Sequence, residues 1–255
     1  MQIKFPIRAT ITALIYNVIS LLILFNPAII VGFPPLSSLF TKPHPGFHIT
    51  ISFPDIPTTL SNIGLETRYL VHPYYIILAF ILNLLLVVIR SYMTPLILSY
   101  IFRDSFAEKF EFLDETAYQD ASKRFILFLK YELLMYAISF SLLLLLLTNP
   151  ILGTIAIIII LILMFLWIFA PFVLFTEEVG VLEALSNSVS LVRANFSTFL
   201  ELLVISSVAI TISKTIISIL PMSIAFLYGL FIWVPLGTYI VAIIGAKYIQ
   251  ITSQY

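Results

Sequence analysis

Apolar positions run in long unbroken blocks along this chain, and the charged positions are confined to the gaps between them. The longest block, Leu133 to Thr176, holds forty-four residues without an Asp, Glu, Lys or Arg and is interrupted only by Thr148-Asn149-Pro150-Ile151-Leu152-Gly153. A bilayer core about 30 Å thick takes roughly 20 apolar residues per helix, so the block predicts two membrane-spanning helices joined by a tight Asn-Pro turn. Applied to the whole chain, the same reading predicts an all-α integral membrane fold of about six spans: residues 7–31, 73–101, 125–148, 151–175, 198–220 and 222–248. They form one polytopic domain over residues 1–255. The connections at Asn149-Pro150 and at Pro221 are only a few residues long, which makes spans three and four, and spans five and six, antiparallel neighbours.

The segments between spans have distinct patterns. Residues 32–72 are rich in proline (Pro34-Pro35, Pro43, Pro45, Pro54, Pro57), and between the prolines Phe47, Ile49, Ile51 and Phe53 alternate with His48, Thr50 and Ser52. That is a short strand signature inside a proline-rich outer loop, which would cap the outer face. In residues 102–124, Phe102, Phe106, Phe110, Leu113 and Ala117 recur at three- and four-residue spacing among six acids and four bases. They predict an amphipathic helix in the membrane interface, or one packed on the bundle. Residues 177–196 give a second cytoplasmic amphipathic segment. Its expected apolar face is Leu182, Leu185, Val189, Val192 and Phe196, opposite Glu183, Asn187 and Ser190, with Gly180 at the bend that starts it.

Composition agrees with this pattern: 61% of residues are hydrophobic, 10% are charged, and the mean hydropathy is +1.11. Ordinary globular domains carry about 25% charged residues. The formal net charge is zero, which removes the basic field that nucleic-acid binding would need. The chain has no cysteine, so disulfides, thiolate metal sites and cysteine nucleophiles are excluded. Absent Cys, abundant Ile and proline-rich loops fit a heat-adapted microbial source. Orientation follows from basic residues near the span ends. With the N-terminus inside, Lys4, Arg8, Arg103, Lys109, Lys123, Arg124, Arg193 and Lys247 fall on the cytoplasmic side, against Lys42 and Arg68 outside. Both termini are then cytoplasmic, the protein sits in the cytoplasmic membrane, and the first span is retained rather than cleaved as a signal.

The segment around residues 169–196 carries a resemblance. Pro171, Glu178, Gly180, Glu183, Ala184, Ser188, Leu191, Arg193 and Asn195 stand where a loose bacterial and archaeal superfamily of six-helix membrane proteins has its signature. That superfamily includes the membrane domain fused to some glycerophosphodiester phosphodiesterases. Ser186-Asn187 replaces the usual basic pair, Val189 the usual aromatic and Ala194 the usual glycine. The resemblance covers about 35 residues in detail and the rest of the chain only as a hydropathy pattern. Because the phosphodiesterase chemistry of that family resides in a separate soluble domain, the resemblance implies a membrane architecture without catalysis.

Charged groups inside lipid are costly, so Arg90, Lys130, Glu132 and Glu201 are candidate site residues. By helical rise all four fall in one layer near the cytoplasmic boundary. Arg90 is expected to pair with Glu132 or Glu201; the alternatives are an anionic site centred on Arg90, or snorkelling to the interface. Lys214, nearer the outer side, is expected to snorkel outward. His44, His48 and His72 lack a carboxylate cluster, and no hydrolase, metalloprotease or phosphate-loop motif is present, so no catalytic residue, cofactor or metal is expected. The function expected is a non-enzymatic scaffold, assembly factor or accessory subunit of a membrane complex. Its partners would be membrane lipids and, through 102–124 and 177–196, another membrane protein. The alternative is a transporter component, with 177–196 as a coupling helix or with a polar cavity lined by Asn17, Asn83 and Arg90.

Overall fold

The computed structural model describes residues 4–30, 73–106, 116–201 and 234–253, with isolated positions between 204 and 232. Every described element is a helix. The outer loop with its expected strand and its three histidines, together with Lys42, Arg68, Lys109, Phe110, Leu113, Lys214, Pro221 and the Asn83 side chain, lies outside the described residues. Among the described residues, two helical segments, Leu84–Phe106 and Val234–Thr252, are long and apolar enough to cross a membrane.

Helix α1 is Ile7–Ile30 and α2 is Pro73–Phe106. At 34 residues α2 is about 51 Å long by helical rise, which exceeds a bilayer core. Its final turns therefore extend past the expected end at residue 101 and carry Arg103 and Asp104 with them. Pro95 lies inside α2, where it supplies no N–H to the carbonyl of Ser91. The two helices are antiparallel neighbours. Arg8 at the start of α1 pairs with Asp104 at the end of α2 at 3.1 Å, and the Ser105 hydroxyl donates to the Lys4 carbonyl at 3.0 Å.

Helix α3, Ala117–Thr148, opens on a capping box in which the Thr116 side chain accepts from the Gln119 N–H while the Gln119 side chain accepts from the Thr116 N–H. This start overturns the expectation of a separate amphipathic helix over 102–124. Residues 102–106 complete α2 and residues 117–124 begin α3. Phe102, Phe106 and Ala117 are buried in protein and do not dip into lipid. The three- and four-residue spacing was helical, but it continued the neighbouring helices.

At the other end of α3, Asn149 is the only residue before α4, Pro150–Leu166. Its N–H bonds the Leu145 carbonyl at 2.8 Å, and its side-chain oxygen accepts from the Leu152 N–H at 3.2 Å. One side chain thus caps the next helix while the backbone closes the last. The following segment was expected to be one span to residue 175. It breaks at Trp167–Phe169, and a short helix α5, Ala170–Glu177, resumes beyond the turn with Pro171 in its first positions, where a missing N–H costs nothing. Ser188 spans the break: its hydroxyl accepts from the Phe169 N–H at 3.1 Å and donates to the Leu166 carbonyl at 2.8 Å. Two backbone groups freed by the interruption are therefore satisfied by a fully buried hydroxyl.

Ser188 belongs to α6, Val181–Ala194, which packs back on α5. The bend between them has its left-handed residue at Glu178 (φ 54°), while Gly180 has φ −65° and ψ 155°. Gly180 is ordinary extended backbone, so conformational freedom is not the reason for glycine there. The buried face of α6 is Ala184, Leu185, Ser188 and Val192. Leu182 (75% exposed) and Phe196 (59% exposed) lie outside it, contrary to the expected apolar face. After α6, residues 196–201 are helical and the described positions Val204, Val208, Ile212, Ile216 and Ile219 are exposed. Helix α7, Val234–Thr252, closes the described fold.

The core is built around α5, of which residues 170–175 are all buried. Phe102 of α2 stacks on Phe175 with centroids 5.2 Å apart, and Tyr248 of α7 stacks on Phe172 at 5.8 Å. Gly245 allows α7 this close: a Cβ there would stand 2.9 Å from the Phe172 ring. Outside the core the bundle is apolar too. Ile7, Ile11 and Ile15 are exposed along α1, and Ile151, Ile155, Ile158, Ile159 and Ile162 along α4. Contiguous apolar surface on that scale is not left to water.

Candidate functional site

The polar chemistry of the described bundle gathers at the end where α1 begins, α2 ends, α3 begins and α5 ends. Its centre is Arg124, 2% exposed. The Nε donates to the Phe175 carbonyl at 2.8 Å, Nη2 meets Glu178 Oε1 at 2.8 Å, and Nη1 meets Asp120 Oδ1 at 3.3 Å. The guanidinium also lies 4.6 Å from the Phe175 ring centroid. One side chain thus satisfies a carbonyl in the last turn of α5, neutralises two acids and caps an aromatic face.

Asp120, fully buried, is held from the other side by α2: Ser99 donates to Oδ2 at 2.5 Å and Arg103 Nη2 meets the same oxygen at 2.6 Å. Arg103 Nε also donates to the Ser99 hydroxyl at 3.1 Å. Lys123 reaches Glu178 at 3.7 Å. Burying charges is tolerable only with this degree of pairing and hydrogen bonding. The same contacts explain the left-handed Glu178, because that backbone turns its carboxylate back onto Arg124. They also fix the α3–α4–α5 hairpin as antiparallel, since Arg124 and Phe175 meet from opposite sides of the Asn149 turn.

A second polar group joins α5, α6 and α7. The Tyr248 hydroxyl is 2.7 Å from the Thr176 hydroxyl and donates to Glu177 Oε1 at 3.1 Å, while Asn187 donates to Glu177 Oε2 at 3.1 Å. Glu177 is exposed, yet it links three helices.

Of the four charges expected in one layer, the structure brings two together. Arg90 Nε lies 3.1 Å from Glu132 Oε1, with Glu132 buried. Lys130 and Glu201 are exposed on outward faces. Lys130 misses the pair because it is two residues from Glu132 and so lies on the far side of α3. Asn17 is buried, and its side chain donates to the Ala13 carbonyl at 2.7 Å, a bond internal to α1. Among the described residues no group of three His, Asp or Glu is placed to hold a metal.

The signature residues 171–195 have identifiable places. Pro171 starts α5, Glu178 meets Arg124, Gly180 caps the start of α6, and Ala184 and Ser188 are buried against its neighbours. Leu191 packs on the core, Glu183 and Arg193 are exposed, and Asn195 ends α6 with its side chain donating to the Leu191 carbonyl at 3.2 Å. Sequence reasoning overlooked Ser99, Arg103, Asp120 and Arg124 as a unit. The signal was present: Ala117, Asp120, Ala121, Arg124 and Phe128 recur at helical spacing, so two charges sit on an apolar face. Charges in that position need each other or a partner from a neighbouring helix.

Comparison with known proteins finds no matching family model, no matching curated protein and no matching solved structure. Apart from Arg124–Asp120 within α3 and Arg103–Ser99 within α2, the contacts of the polar end join one helix to another, which makes it a brace that locks the ends of α2, α3, α5, α6 and α7 together.

Proposed function

We propose that this is a multi-pass protein of the cytoplasmic membrane, with six spans and both termini cytoplasmic, that acts without catalysis as a scaffold or accessory subunit of a membrane complex. The observation that carries the reading is the division of the surface. One end of the bundle is braced by paired charges, and the length beyond it presents exposed isoleucine, leucine and valine on α1, on α4 and at positions 200–219. Lipid is the solvent that such a surface fits. Lys4, Arg8, Arg103, Lys123, Arg124 and Arg193 belong to the braced end or its immediate neighbours, which agrees with an inner-side assignment. The family resemblance supports the same architecture.

Within this reading the partner surface is the outer side of α6, where Leu182, Ser186, Ser190, Arg193 and Phe196 are exposed beside one another or on successive turns. Residues 102–124 contribute less than the sequence implies, because Phe102, Phe106 and Ala117 are spent on the core. A photoreactive residue at position 182, activated in intact membranes, is expected to give a discrete adduct with a second membrane protein. Adducts with lipid alone would overturn the scaffold reading, and release of the chain by alkaline carbonate would overturn the membrane reading beneath it.

A further inference from the structure

We propose that two copies of this chain pair in the membrane through Lys130 of each and Glu201 of the other. The inference rests on the membrane placement above. Of the four charged residues that the sequence puts in one layer near the cytoplasmic boundary, Arg90 and Glu132 satisfy each other inside the bundle. Lys130 and Glu201 do not: both are exposed, and among the described residues neither meets an opposite charge. Their surroundings are apolar. Ile126 and Leu133 are exposed one turn to either side of Lys130, and Leu200 and Val204 are exposed beside Glu201. A lysine stem carries its charge some way toward the interface, but a glutamate has a shorter reach. Charges on a lipid-facing surface are costly, and each of these is of the sign that the other needs.

Depth makes the match specific. Lys130 comes five residues into a span expected to begin at 125, and Glu201 three residues into one expected to begin at 198. By helical rise they stand about 8 Å and about 5 Å beyond the same boundary. Copies of a membrane protein are related by axes along the bilayer normal, so a residue keeps its depth and meets only residues of similar depth on its neighbour. Both spans start from the inner side, so Leu133 and Val204, one turn further along, also come level. The two faces adjoin on the molecule, because α6, which leads into Glu201, packs on α3. A twofold contact across them therefore forms the Lys130–Glu201 pair twice. The apolar side chains around each pair keep water out, and each charge finds its partner between helices, as polar groups in lipid do.

The test uses the full chain in native membranes, where the absence of cysteine allows cross-linking at chosen positions. Copies carrying Leu133→Cys and differently tagged copies carrying Val204→Cys are co-expressed and oxidised, with Ile158→Cys on the exposed face of α4 in place of Leu133→Cys as the control. Expected is a cross-link between positions 133 and 204 and little between 158 and 204. Lys130→Glu, or Glu201→Lys, placed in both copies is expected to lower the cross-link about fivefold or more, and Lys130→Glu with Glu201→Lys in the same chain to restore it. Copies with Lys130→Glu should also pair with copies with Glu201→Lys while neither pairs with its own kind, because only the mixture puts opposite charges at both contacts. Circular dichroism of each purified variant checks its folding, and should the doubly exchanged variant unfold, the mixture of single variants reads the same contact. No cross-link from the unaltered charges, one as strong from position 158, or one indifferent to the charge variants would overturn the proposal. A chain that alkaline carbonate leaves in the membrane but whose cross-link ignores these charges refutes the pairing only; a chain that carbonate removes refutes the placement on which it rests.

Discussion

Arg124 shows what a single residue carries in this protein. Its guanidinium holds a carbonyl of α5, Asp120 of its own helix and Glu178 at the bend, so no other residue type reproduces the set. Arg124→Met is expected to cost about 3–5 kcal/mol, because Asp120 remains buried with fewer partners and the Phe175 carbonyl loses its donor. Arg124→Lys is expected to recover only part of this, since an ammonium cannot meet three acceptors in a fixed plane. Urea or thermal unfolding in detergent reads both. Arg90 and Glu132 form a simpler pair. Arg90→Met alone should destabilise by about 3–5 kcal/mol by leaving Glu132 buried, whereas Arg90→Met with Glu132→Leu should approach the unaltered stability. A double variant as unstable as the single one would mean that the two charges are not mutual partners. Residue type and helical rise left Glu132 and Glu201 as equal candidate partners for Arg90, and only the packed helices select Glu132.

Among the elements, α5 is the least predictable and the most central. An eight-residue helix has little stability of its own, and this one persists because six consecutive residues are buried and because Ser188 satisfies the backbone on either side of the Trp167–Phe169 break. The hydropathy of residues 151–175 is uniform, so the sequence predicts a continuous helix there; the break depends on a hydroxyl nineteen residues further on. Gly245 tests the packing around α5. Alanine would gain about 1 kcal/mol in helix propensity, but its Cβ would meet the Phe172 ring, which is enclosed by Phe102 and Tyr248. Gly245→Ala is expected to destabilise by about 1–2 kcal/mol net, and Phe172→Leu in the same chain to relieve the clash. A stabilised Gly245→Ala in thermal unfolding would show that the ring moves aside.

For the whole molecule, the expectation concerns topology. Lys4 and Arg8 contact Ser105 and Asp104, Phe5 stacks on Tyr239 at 6.0 Å, and Tyr248 meets Thr176 and Glu177, so the start of the chain and the last helix meet one polar end. A fluorescent protein fused after residue 255 should fluoresce, and alkaline phosphatase fused there should stay inactive, as for a cytoplasmic terminus. The reverse result would require the braced end to face outward and would contradict the distribution of basic residues.

The chain by itself determined that the fold is helical, where most helices lie, and that its surface is apolar. These follow from periodicity and hydropathy, which depend only on residues a few positions apart. The Asn149 turn was equally legible, because its capping and its proline are local. Tertiary structure alone decided which charges are buried together, that Phe102 and Ala117 face protein, and that the left-handed backbone falls on Glu178 while Gly180 stays extended. Asp120 reaches Ser99 and Arg103 on α2, and Arg124 reaches Phe175 and Glu178 at the end of α5, across long stretches of sequence, and no local pattern encodes a distance that only the packed helices bring to hydrogen-bonding range.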